Sequence, residues 1–144
     1  MNILEILTPK RIIGNFGEKE AAGMLRKKGC RILEQNYTAR NAEIDIIARR
    51  KDLTVFVEVK TRNIASVGLI ESRPASAVTP EKQRKIIKAA GCYNSRNPSN
   101  TRLRFDIVEE YIVKAGDRPK VNELNHLEGA LDLNRAYHKH YHYS

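Results

Sequence analysis

The stretch EIDIIARRKDLTVFVEVK, residues 43 to 60, constrains the fold more than any other. EIDIIAR and TVFVEVK are rich in β-branched residues and read as two strands of a hairpin. Closing it on a two-residue turn at Lys51-Asp52 pairs Arg50 with Leu53 and sets Asp45 opposite Glu58. Side chains alternate along a strand, so Val55, Val57 and Val59 share one face while Phe56, Glu58 and Lys60 share the other. In the first strand Ile44 and Ile46 face one way, and Glu43, Asp45 and Ile47 the other. Directly opposed residues hold their Cβ atoms roughly 4.5–5.5 Å apart. A two-residue change of pairing keeps Asp45 and Glu58 on one face as diagonal neighbours; a one-residue slip separates them.

Two carboxylates held that close in a half-buried sheet repel, so one takes up a proton or a cation sits between them. A divalent ion with oxygen ligands fits, since Mg²⁺ is content with one or two carboxylates, waters and a phosphate. Lys60 adds a positive charge on the same face. Metal, carboxylates and ammonium at one point suggest phosphodiester chemistry. The ordinary alternative is a cross-strand ion pair between Glu58 and Lys60 on a solvated face. Phe56 on that face counts against it. So does Glu18, an acid on the apolar stripe of a preceding helix, although a helix's first turns also favour acids through the dipole.

That helix spans residues 9 to 28: Ile13, Ala21, Ala22, Met24 and Leu25 fall on or near one stripe, Pro9 suits the first turn and Gly29 ends it. CRILEQNYT is a strand before the hairpin, and residues 61 to 78 read as a loop. Thr79 is an N-cap for TPEKQRKIIKAAGCY, with Pro80 in the first helical position, Glu81 at the positive end and Ile86, Ala89, Ala90 and Tyr93 as its core stripe. TRLRFDIVEEYIV gives a fourth strand and part of a fifth, AGDRP a turn, and VNELNHL a last short strand. The order helix, three strands, helix, one or two strands implies an α/β fold of the α+β kind, a mixed sheet flanked by helices. No repeat or linker divides it, so residues 1–130 form one domain and 131–144 a polar tail.

Lys and Arg exceed Asp and Glu by 26 to 17, a net charge of +9, and the basic residues run from 10 to 139. A folded domain with that surface is expected to meet a polyanion. Arg62, Arg73, Lys82, Arg84, Lys85 and Lys88 are candidates for phosphate contacts; a solvated face is the plainer account of the helical ones. No apolar run approaches the roughly 20 residues of a membrane span. The N-terminus lacks a signal-peptide pattern, so a cytoplasmic protein is expected. Cys30 and Cys92 then read as free thiols. Asp106 reads as a structural partner of Arg104 or a neighbour rather than a site residue. His138, His140 and His142 read as part of a frayed terminus rather than a metal site.

The stretch from Ile13 to Arg62 strongly resembles the YraN family of small bacterial proteins. The resemblance covers about residues 11 to 130 and rests on Gly14-x-x-Gly17-Glu18-x-x-Ala21, Asn36, Glu43-Ile44-Asp45, Phe56-Val57-Glu58-Val59-Lys60-Thr61-Arg62, Lys82-Gln83-Arg84 and Arg104-Phe105-Asp106. Any one piece is weak; their order and spacing are specific. The family is similar to restriction-endonuclease-like nucleases, especially archaeal Holliday-junction resolvases. The resemblance implies the restriction-endonuclease-like core, αβββαβ, and a Mg²⁺- or Mn²⁺-dependent nuclease acting on DNA. It implies Asp45, Glu58 and the Val59 carbonyl as metal ligands, Lys60 as the active-site lysine, Glu18 as a helix acid completing or supporting the metal site, and Gln83 as a group orienting water or phosphate. Ala42 stands where the family commonly has Gly, and residues 64–78 lack some of its usual residues. A non-catalytic nucleic-acid-binding module on the same fold is the other reading. Resolving a junction needs two sites, hence a homodimer, and no dimer seam is visible in the sequence.

Overall fold

The structure, a computed structural model, describes residues 9–63, 79–115, 118–131 and 133. Most of the expected loop with Arg73, the centre of the AGDRP turn and the histidine-bearing tail lie outside the described residues. The elements are α1 (Pro9–Lys27), β1 (Arg31–Ala39), β2 (Ala42–Arg50), β3 (Leu53–Asn63), α2 (Pro80–Arg96), β4 (Arg102–Ala115) and β5 (Arg118–Leu131). The strands lie in the order β1-β2-β3-β4-β5. β3 and β4 are parallel and joined through α2, and the other neighbours are antiparallel. This is the expected mixed sheet, with αβββαββ order and the architecture of a restriction-endonuclease-like core.

Local chemistry sets the element ends. α1 stops at Gly29, whose φ of +91° lies in the left-handed region, and the Cys30 N–H donates back to the Leu25 carbonyl at 2.9 Å. Arg40 and Asn41, both at positive φ, form the two-residue turn between β1 and β2 that matches strand twist. Lys51-Asp52 turns β2 into β3 in the expected register, Arg50 with Leu53 through Ile46 with Val57. The Thr79 hydroxyl accepts from the Lys82 N–H at 3.2 Å, and Pro80 opens α2.

Two apolar clusters sandwich the sheet. On one face Ala21, Ala22 and Leu25 of α1 cover Ile46, Ala48, Val55, Val57 and Val108. On the other Ile86, Ile87, Ala89, Ala90 and Tyr93 of α2 cover Ile47, Phe56, Phe105 and Ile107. Removing these chains from water at about 25 cal/mol per Å² is the main force holding each helix to the sheet.

Three expectations need correcting. Thr61 and Arg62 continue β3 rather than opening a loop, because β3 pairs along its whole length with β4. RLRFDIVEEYIVKA is one strand, held on both edges, and β5 has 14 residues instead of being short. Ile44 and Ile46 do not share a face: Ile44 packs with Tyr37 under α2, Ile46 under α1. The pleat therefore resets at Asp45, where the ladder to β3 also stops. Leu133 is buried in the α2-side cluster.

Gly17 lets α1 approach the sheet: a Cβ there would stand 2.2 Å from Thr61 Cγ2 and 2.6 Å from Glu110 Oε2. Glu110 is fully buried and neither carboxyl oxygen has a hydrogen-bond partner among the described residues. Burial, with the charge of Glu20, pushes its carboxyl up to about 8 from an ordinary 4.5. The sign follows from linkage: the folded state prefers the protonated acid, so the stabilising contribution is full below pH 4.5 and is lost as pH rises through 8. Glu110→Met, which keeps the length and removes the ionisation, is expected to flatten the fall of Tm between pH 5.5 and 8. At pH 8 its Tm should exceed that of the wild type by roughly 5 °C. Melting curves at the two pH values check this; parallel curves would rule it out.

Candidate active site

The reset of the pleat builds the site. At Asp45 the strand gives up its ladder position, and the Asp45 carboxylate accepts the Val59 N–H at 2.7 Å instead. In the neighbouring strand Asn36 sits at φ +55° between Gln35, which pairs with Ile46, and Tyr37, which pairs with Ile44. Both strands thus switch faces at the same level. The Asn36 side chain hydrogen-bonds Glu18 of α1. Gly17, seated on Thr61, fixes the height of α1 and so delivers Glu18 to this point.

Burial raises the Asp45 carboxyl to about 6; the Val59 N–H opposes the rise, while Glu18, Glu58 and Glu43 add to it. Glu18 is also raised, first by burial and then by Glu43, with the Asn36 bond pulling the other way. Several acids thus share one field, the circumstance in which a cation is held or a proton is taken up.

Glu58 faces α2. Its Oε1 is ion-paired with Lys82, while Oε2 is buried with no hydrogen-bond partner among the described residues. Lys60 is half-buried two residues on, and its ammonium makes no ion pair with another described residue. Glu109 is its register neighbour on β4, and Oε1 of Glu109 accepts from the Tyr111 hydroxyl at 2.8 Å.

Among the described residues no three Asp, Glu, His or Cys side chains form a ready metal cage. The donor set fits a hard divalent ion nonetheless: two carboxylates, Asp45 and Glu58, the second with a buried oxygen that has no hydrogen-bond partner among the described residues, would leave positions for water and phosphate. The Val59 peptide is fixed against Asp45 by its N–H. Glu18 acts on Asp45 through its charge and is itself hydrogen-bonded to Asn36.

The other sequence candidates are dispersed. Gln83 is half-buried beside Lys82, and its N–H donates to the Thr79 carbonyl at 2.9 Å. Arg62 is exposed at the end of β3, opposite Tyr111. Arg84 and Lys88 are exposed on α2, as is Lys85, 3.9 Å from Glu81. Lys82 is ion-paired with Glu58, its side chain still 42% exposed. Asp106 is structural: it accepts two bonds from Arg104 at 2.8 and 2.9 Å, one from the Gly129 N–H at 3.0 Å, and pairs with His126 Nε2 at 2.7 Å. Burial alone would raise its carboxyl; these bonds offset that and hold it below its ordinary value. Sequence reasoning gave no role to Asn36, whose presence in a strand against its β propensity was the available signal. It also missed the pairing of Lys82 with Glu58, which depends on how α2 lies across the sheet.

The family profile described as "Uncharacterised protein family UPF0102" matches residues 17–109, the span from Gly17 through Glu109 that builds this site. A UPF0102 protein of Caldanaerobacter subterraneus subsp. tengcongensis is 43% identical over 123 residues, 85% of this chain and 96% of the relative. One from Chlorobium phaeobacteroides is 48% identical over 97 residues, 67% of this chain and 74% of the relative. One from Myxococcus xanthus is 37% identical over 124 residues, 85% and 91%. The chain belongs to the UPF0102 family, which is the YraN family its motifs resemble.

Proposed function

We propose that this protein is a Mg²⁺- or Mn²⁺-dependent nuclease that hydrolyses phosphodiester bonds of DNA, branched or single-stranded, in repair or recombination in the cytoplasm. The observation that carries the reading is the buried Glu58 Oε2, without a hydrogen-bond partner among the described residues, near an Asp45 whose carboxyl is lifted by burial and neighbouring acids. A bound divalent ion would polarise the phosphate and acidify a water. Asp45 and Glu58 would hold that ion, with the Val59 carbonyl as a further ligand. Lys60 would place its ammonium against the charge that develops on the phosphate oxygens. Glu18, positioned by Asn36, would orient water, and Gln83 would steady water or a phosphate oxygen from the α2 side. Acting on a four-way junction would require a homodimer, one site per strand.

The Lys82–Glu58 ion pair favours a second reading, a nucleic-acid-binding module whose carboxylate is neutralised without metal. Incubation of labelled single-stranded, duplex, flap and four-way-junction DNA with each metal separates the two. The nuclease reading expects cutting by the wild type that Glu58→Gln and Lys60→Ala each reduce by about 10²-fold or more. Binding without cutting under both metals would leave the module. Cutting that survives both substitutions would place the chemistry elsewhere.

A further inference from the structure

The end of the β1–β2 hairpin and the second half of α2 flank an open, solvent-facing cavity of about 690 Å³, lined among others by Arg40, Asn41, Lys88, Cys92, Ser95 and Arg96. Three of these carry positive charge, and none of the described lining residues is acidic. Lys88, Cys92, Ser95 and Arg96 recur at helical spacing, so they form one face of α2, and Arg84 and Lys85 extend that face toward the active site. On the hairpin wall, Arg40 and Asn41 occupy the two left-handed positions of a tight turn. Behind the cavity, Tyr37 and Tyr93 pack edge to face at 5.4 Å. The Tyr37 hydroxyl is buried without a hydrogen-bond partner among the described residues and feels the charge of Arg96, on the cavity wall.

α2 links this cavity to the carboxylates. Lys82, at its start, is bound to Glu58. At 1.5 Å per residue, Lys88 lies about 9 Å and Arg96 about 21 Å further along the axis. A strand with its phosphate at Asp45 and Glu58 would therefore reach the cavity within a few nucleotides. The cavity's size suits a ligand of about two nucleotides.

We propose that this cavity seats the single strand flanking the phosphate held at Asp45 and Glu58, with Lys88, Arg96 and Arg40 on its phosphates and Asn41 and Ser95 on sugar or base edges. The assignment of the flank rests on the nuclease reading; the cavity's affinity for a single strand does not. Binding of a labelled oligothymidylate, followed by fluorescence anisotropy in EDTA over a salt series, tests it without catalysis. The double variant Lys88→Gln/Arg96→Gln is compared with Arg118→Gln/Lys120→Gln, which removes two exposed charges from β5. The cavity variant is expected to bind at least about tenfold more weakly and to lower the logarithmic salt slope by about 1.4, while the β5 variant stays within about twofold of the wild type. Equal losses in both variants, or none in the cavity variant, would overturn the proposal. In Cys30→Ser protein, bound oligonucleotide should slow alkylation of Cys92; an unchanged rate would count as decisively against it. If the wild type never cuts DNA and the cavity variant still loses the strand, the cavity stands and the nuclease reading falls. If the wild type cuts and the cavity variant cuts with unchanged KM, the reverse holds.

Discussion

Asp45→Asn is expected to abolish cleavage and, in the absence of metal, to raise Tm. The folded chain lifts this carboxyl from 3.8 to about 6, so its stabilising contribution is full below pH 3.8 and gone above pH 6. At pH 7.5 the native state therefore carries an ionised group that its surroundings disfavour. Asn keeps an oxygen for the Val59 N–H and removes the repulsion from Glu18, Glu58 and Glu43. After allowance for solvent screening at this half-buried site, the gain is about 1–2 kcal/mol, roughly 5 °C in Tm. On the proposed nuclease reading, in which Asp45 would hold the ion, cleavage should fall by about 10³-fold or more. Melting in EDTA and again with Mn²⁺ gives a readout separate from activity: the ion should stabilise the wild type and leave the variant nearly unmoved. Identical melting of the two proteins in EDTA, with the same response to Mn²⁺, would show that Asp45 neither carries the strain nor holds an ion.

Gly17→Ala should do the opposite to stability and the same to activity. The added methyl would lie 2.2 Å from Thr61 Cγ2 and 2.6 Å from Glu110 Oε2, distances that force α1 to move. Thr61 is locked in the β3–β4 ladder and Glu110 in the core, so the helix must yield. Overpacking of this kind costs about 1–3 kcal/mol. The displaced Glu18 would lose its alignment with Asn36, and a shift of about 1 Å at a catalytic constellation can cost about 10²-fold. Gly14→Ala is the control, since a Cβ there meets nothing within 4 Å. Its Tm should be equal to or above that of the wild type, because Ala is the better helix former. Equal melting and cleavage in the two variants would remove Gly17 from the argument.

Much of this was legible in the residues because the hairpin register depends on nearby chemistry. Lys51-Asp52 closes a short turn, and the strand patterns on either side leave few ways to pair, so the register from Arg50–Leu53 to Ile46–Val57 was legible; the ladder ends there, one step short of the expected Asp45–Glu58 pair, and Asp45 instead accepts the Val59 N–H. Thr79 and Pro80 announced α2 for the same reason. What escaped were features set by long-range packing. Strict alternation put Ile44 with Ile46; only the joint reset of β1 and β2 at Asn36 and Asp45 separates them, and no local propensity encodes it. Lys82 looked like one more surface cation because its partner lies 24 residues away on another element. The length of β5 was hidden by the polar residues in RPKVNELNHLEGAL, a strand with no fully buried position along it.

The contact between Lys28 and His126 has a bearing on timing. Lys28 Nζ meets His126 Nδ1 at 2.7 Å across 98 residues of chain, and the far nitrogen of the same ring is tied to Asp106. The helix that carries Glu18 is thus moored at its far end to the last strand of the sheet. On a ribosome, where domains acquire structure as the chain emerges, that mooring forms only after β5 has appeared. A nascent chain stopped short of β5 would lack this tie while α1 keeps its apolar seat on β2 and β3 and its fit over Thr61. On the proposed nuclease reading, arrested chains ending before Arg118 should accordingly retain oligonucleotide but cut it more slowly than the full chain; equal cutting would show that the tie does nothing for Glu18.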